Sequence, residues 1–283
     1  MATEVLSMKH STIPYCRLRG HAKRCSGLVA SLIIGITCNA PLQAQRTETG
    51  TRIGLQTGVN FVVARDDRAS PLRYTGTGPS ARIEFEHGNR GRLHIAITGA
   101  VGFLRSTATS DEVGSDGLPK ENAFNAGLEV AYLHDVGPEE GRLRWSIGGV
   151  LLGRTSIRAH SYDNPNTSSA VYGIAVVSVG LAGGLDWHVP GRSRVVQHVS
   201  VPAVSWVLIP HADLRPIGGW ALQSHLATPV TLPAFEWSVA YRISLSRGAS
   251  LELGYTLAGM WYRADAQFRT VVQGLSAGIR VGT

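Results

Sequence analysis

No cysteine follows Cys38, and Cys16 and Cys25 are the only others in the 283-residue chain. Past its first forty residues, the protein therefore has no thiol nucleophile, no disulfide framework and no cysteine metal site. Charge is also scarce, at 17% of residues, and aromatics make up only 7%. Beyond the N-terminal region no run of eighteen apolar residues occurs. That excludes membrane-spanning helices, which need about 20. No nucleic-acid-binding motif is visible, although the formal charge is +7 and the isoelectric point is near 9.7.

Much of that basicity belongs to a segment expected to be removed. Residues 1–44 read as a cleaved secretory signal peptide. Lys9, Arg17, Arg19, Lys23 and Arg24 form a basic region, the 11 residues Gly27 to Thr37 an apolar one, and Pro41-Leu42-Gln43-Ala44 precedes a mature start at Gln45. An apolar stretch that short does not span a bilayer as a helix. Losing the leader removes five of the 27 Lys and Arg and one of the 20 Asp and Glu, which leaves a net charge of +3. No nucleic-acid partner is needed to explain so mild an excess.

What the chain does have is alternation. From Ala234 onward, Phe235, Trp237, Val239, Tyr241, Ile243 and Leu245 share one face of an extended run, and Glu236, Ser238, Ala240, Arg242 and Ser244 the other. The pattern resumes after 246–250 with Leu251, Leu253, Tyr255, Leu257 and Trp261. A period of two is that of a strand whose faces meet different surroundings. Ten such runs are expected, near 51–63, 80–87, 92–104, 123–134, 142–157, 170–188, 194–208, 234–245, 251–262 and 269–281. The links after even-numbered runs are tight, Gly-containing turns. Those after the odd-numbered ones are longer, at 64–79, 105–122, 158–169 and 209–233; only 263–268, after the ninth run, is short. Long links at one end and tight turns at the other fit an up-and-down barrel that crosses a membrane. An apolar face repeated on every strand would aggregate in water but is the right exterior in a bilayer. Closure leaves no sheet edge unpaired in hydrocarbon.

On these features, residues 51–281 resemble the outer-membrane β-barrel proteins of double-membraned bacteria. The fold expected is all-β, a ten-stranded antiparallel up-and-down transmembrane β-barrel over residues 45–283, with the tenth strand closing on the first. The resemblance implies residence in the cell outer membrane, contact with outer-membrane lipid, and insertion by the barrel-assembly machinery. It points to no surface ligand. Members of that class often end in an aromatic residue, whereas this chain ends Ile279-Arg280-Val281-Gly282-Thr283.

The face opposite the apolar one collects charges of both signs: Arg52, Arg82, Glu84, Glu86, Glu129, Arg144, Asp186, Arg242, Glu252 and Arg280. In a barrel this narrow such residues either pair and fill the lumen or line a small pore, and the filled lumen is preferred. Catalytic sets are weak. His211-Ala212-Asp213 places a base near a carboxylate, in the reverse of the order found in proteases of the omptin type, and Asp66-Asp67 is not spaced for one strand face. Ser224-His225 and His198 with Ser200 are the other pairings open to a surface hydrolase. The acidic 111–117 segment is read as a solvated turn rather than a Ca²⁺ loop, and Asn166-Thr167-Ser168 matches a glycosylation sequon only formally. No catalytic, cofactor-binding or metal-ligating residue and no cofactor is assigned. The expected role is a structural or surface-binding barrel with a plugged polar lumen, the alternatives being a narrow small-solute channel or a surface hydrolase.

Overall fold

The computed structural model describes residues 50–66, 70–107, 120–136, 141–161, 170–210, 222–246, 248–263 and 268–282, all within the compact unit that spans 42–283. The leader and its cleavage site lie outside the described residues. Eleven strands form one sheet: β1 (Gly50–Asp66), β2 (Ser70–Gly88), β3 (Gly91–Ser106), β4 (Lys120–Val136), β5 (Leu143–Ser161), β6 (Ala170–Val189), β7 (Ser193–Pro210), β8 (Leu222–Ala227), β9 (Ala234–Ser244), β10 (Ala249–Tyr262) and β11 (Phe268–Gly282). Each long strand pairs antiparallel with its chain neighbours, and β11 pairs with β1 from Arg52↔Gly282 to Asp66↔Phe268. The ring is closed, ten strands around, with the first and last strands side by side as their alternation predicts.

β8 is the strand that the sequence reading lacks. It pairs with β7 from Ser205↔Ala227 to Pro210↔Leu222, while β9 pairs with the other half of β7 from Ser193↔Ile243 to Ser200↔Glu236. Because β6 occupies the whole opposite edge of β7, β8 and β9 are two pieces of one barrel position. Residues 228–233 interrupt it. Pro229 and Pro233 lack the N–H that a continuous ladder would need. The break is closed by its own turn, with Leu232 N donating to Thr228 O at 2.8 Å, and β10 continues alongside it, with Trp261 N donating to Pro233 O at 2.9 Å.

The expected long link at 64–79 is a second difference. β1 and β2 continue to Asp66 and Ser70, so only 67–69 separate them. Gly76, Gly78 and Pro79 look like loop residues, yet Tyr74 is buried and the inward parity runs unbroken through Arg82 and Glu84. Three long links remain at that end, 108–119, 162–169 and 211–221, and they fall outside the described residues. Tight turns hold the opposite end, where Gly88 adopts φ 120°, a conformation that disfavours any side chain.

The outward faces carry Leu55, Phe61, Ile97, Phe103, Leu128, Trp145, Leu181, Trp206, Leu253 and Leu275, all well exposed. Among the described residues, no Asp, Glu, Lys or Arg stands on the outward face of a strand until Arg65, Arg73, Arg105, Lys120 and Arg269, at the end away from the tight turns. On β1 the uncharged outward run covers 51–63. At about 3.3 Å per residue and a tilt near 40°, it is roughly 33 Å tall, close to a bilayer's hydrocarbon core. On β9 and β10 the rings of Phe235 and Trp261 stack at 5.8 Å over Gly259, whose missing side chain makes room for them.

Candidate functional site

The interior divides into three layers. Nearest the tight turns is an ion-pair network. Arg280 on β11 reaches Glu84 and Glu86 on β2, the latter at 2.7 Å, and Glu252 on β10 at 3.2 Å. Arg242 on β9 donates from Nε to Glu252 at 3.0 Å and lies 3.8 Å from Glu84 and 3.9 Å from Glu86. Gln56 on β1 donates to the same Glu252 at 3.0 Å. Arg82 extends the network, 2.6 Å from Glu84, 3.4 Å from Glu236 and 3.9 Å from Glu129, and Arg154 joins through Glu236 at 2.5 Å. Arg92 bridges Asp135 at 2.8 Å and Glu86 at 3.6 Å, and Arg194 lies 3.3 Å from Asp186. Such charges tolerate burial only because each faces its opposite.

The structure therefore brings Arg82, Glu84, Glu86, Glu129, Arg242, Glu252 and Arg280 into one connected cluster. Asp186 sits at its edge with Arg194, while Arg52 and Arg144 are half-buried toward the turn end. Sequence reasoning left Arg92, Arg154 and Arg194 out of the charged set. All three share the parity of a buried neighbour on their own strand, such as Ala96, Leu152 or Ser200, and that parity was the available signal.

Two cavities lie inside, one in the middle layer and one within the ion-pair layer. The larger, about 170 Å³, is lined by Asn60, Thr98, Asn125, Ser156, Thr256 and Val272 among others. The smaller, about 60 Å³, lies among Glu84, Arg92, His94, His198 and Arg242. Gln56 and Arg82 line both. Where they meet, His94 (β3), Glu129 (β4) and His198 (β7) bring one ligand atom each to within 4.8 Å of one another.

Apolar packing is present on the turn half, where Ala131, Leu133, Val150, Leu152 and Ala182 form a buried cluster, and is more extensive toward the long links. Ile174, Val176, Val207, Ala227, Leu232, Met260, Tyr262 and Phe268 form one buried cluster, and Val62, Ala64, Tyr74, Leu104 and Ala123 another. Leu232 reaches the first from the break between β8 and β9, so this irregularity supplies part of that core. Arg158 lies 4.4 Å above the Phe268 ring and 3.4 Å from Glu121, and Tyr74 contacts His160 at 3.3 Å.

The hydrolase pairings fare differently. His211 and Asp213 lie outside the described residues, as do Asp67, 111–117 and 166–168. Ser224 is exposed on β8, and His225 contacts Tyr262. Ser200 is fully buried and its Oγ makes no hydrogen bond, so His198 does not activate it.

No family model matches the chain, and no curated protein does. Among solved structures, the chain is similar to Neisserial surface protein A at 13% identity, over 81% of this chain and 96% of that one, with a TM-score of 0.33. It is also similar to the translocator domain of the autotransporter NalP from Neisseria meningitidis at 11% identity, over 83% and 89%, with a TM-score of 0.41. A third is the beta domain of the Bordetella autotransporter BrkA, at 14% identity over 83% and 100%, with a TM-score of 0.39. Superpositions this loose carry no argument, and the fold assignment rests on the closure of the sheet itself: the chain is a ten-stranded antiparallel β-barrel.

Proposed function

We propose that the protein is an integral outer-membrane barrel with a sealed lumen, serving as a structural or surface-binding element rather than as a pore. The observation that carries this reading is the reversal of surroundings across the sheet: an uncharged apolar exterior about as tall as a bilayer core, and an interior filled by the Glu84–Arg280–Glu252–Arg242 network. The arginines and the lysine that end the apolar band, Arg65, Arg73, Arg105, Lys120 and Arg269, stand where phosphate headgroups would begin and support the same placement. Insertion by the barrel-assembly machinery and contact with outer-membrane lipid belong to this reading.

A narrow small-solute passage is the second reading, favoured by the adjoining cavities of about 170 and 60 Å³. Purified full chain in planar bilayers separates the two. The sealed lumen predicts no step conductance across a range of salts and voltages. Reproducible single-channel steps would overturn it in favour of the passage.

A further inference from the structure

We propose that His94, Glu129 and His198 form a binding site inside the barrel for one divalent transition ion of the zinc class. Three strands contribute one residue each. His198 Nε2 stands 2.7 Å and His94 Nδ1 3.7 Å from the same carboxylate oxygen, Glu129 Oε1, and the two rings are 5.4 Å apart between centroids. Glu129 is 4% exposed, and its Oε1 faces both imidazole nitrogens as ion-pair partners without a well-aligned hydrogen bond to either, even across the 2.7 Å approach. Buried polar atoms left in this state are costly. Three of them converging on one point, from residue types that ligate metals, form a donor set that one cation would satisfy at once.

The donor set selects the ion. Two imidazoles and one carboxylate suit zinc and its neighbours, whereas Ca²⁺ and Mg²⁺ require six or more oxygens. Bonds of about 2.0–2.1 Å in a tetrahedral arrangement set ligand atoms roughly 3.3 Å apart, so the nearer His–Glu pair would open and the farther one close by less than about 1 Å each, and the two imidazole nitrogens, within 4.8 Å of each other, would close by at most about 1.5 Å. Glu129 lines the larger cavity and the two histidines the smaller, which leaves room for water as a fourth ligand. Arg82 Nη2, 3.9 Å from the other Glu129 oxygen, would hold the carboxylate from outside the coordination shell. The site does not depend on whether the lumen conducts.

The test uses the full chain, folded in detergent, stripped with a chelator and titrated with Co²⁺. The expected result is saturation at one equivalent, with a visible absorption band that Zn²⁺ abolishes by displacement. His94→Gln with His198→Gln keeps polar side chains of similar reach and should weaken binding about a hundredfold or more. Should that variant fail to fold, Glu129→Gln and each single histidine variant are expected to weaken it about tenfold or more. Absence of one-to-one saturation in the wild type overturns the proposal, as does unchanged affinity in these variants.

Discussion

Glu252 shows what single residues do in this interior. It is 2% exposed and accepts hydrogen bonds from Gln56, Arg242 and Arg280, which lie on three other strands. Replacing it with alanine would take one of the three carboxylates shared by Arg242 and Arg280, leaving Glu84 and Glu86 alone against both guanidiniums, and would remove the acceptor of Gln56. Glu252→Ala is expected to lower stability by about 3–5 kcal/mol, read from urea unfolding of the detergent-folded protein. A loss below about 1 kcal/mol would mean that water reaches the network. On the outside, Gly259 is a seat for aromatic rings. A Cβ there would come within 2.6 Å of both Phe235 and Trp261. Gly259→Val should cost about 1–3 kcal/mol and alter the near-UV circular dichroism of the stacked pair. An unchanged spectrum would argue against the stacking.

Among the elements, the β8–β9 position departs furthest from a regular barrel strand. Leu232, 1% exposed, packs inward from the break against Val207, Met260 and Phe268. Leu232→Ala is expected to cost about 2–5 kcal/mol in the same unfolding experiment, as for any large core side chain truncated without collapse. An exposed loop leucine would cost almost nothing. This element also marks where the sequence stops being legible. Strand faces could be read from alternation alone, because the inner and outer faces of the barrel wall carry opposite polarities on successive residues from Thr51 to Val63 or from Leu251 to Trp261. β8 could not, since six residues between an unpatterned link and Pro229 give too short a period to count. The 70–79 half of β2 was hidden for a related reason. Pro79 faces outward, and Gly76 and Gly78 lie on the inward parity, where small residues read as a turn rather than as one face of a strand. The site was legible in parts: parity places Arg82, Glu84 and Glu252 inward, but not which residues they meet. His94, Glu129 and His198 come together only through ring closure and register, which no local pattern encodes.

At the scale of the whole molecule, the proposed function requires lipid outside the barrel and a sealed, water-poor interior. Because no cysteine follows Cys38, single cysteines can report on both surfaces without background from the barrel. Leu275 and Ser276 are adjacent on β11; the first is 67% exposed on the outward face, and the second turns inward, donating to Gln56 Oε1 at 3.0 Å. The most direct measurement is thiol labelling of Leu275→Cys and Ser276→Cys in intact membranes, with a membrane-impermeant quaternary-ammonium reagent beside a lipid-soluble maleimide. A sealed barrel in lipid predicts that the maleimide alone labels position 275 and that neither reagent labels position 276 until the protein is unfolded. Labelling of position 275 by the charged reagent would contradict the lipid-facing exterior, and labelling of position 276 by that reagent would contradict the sealed lumen.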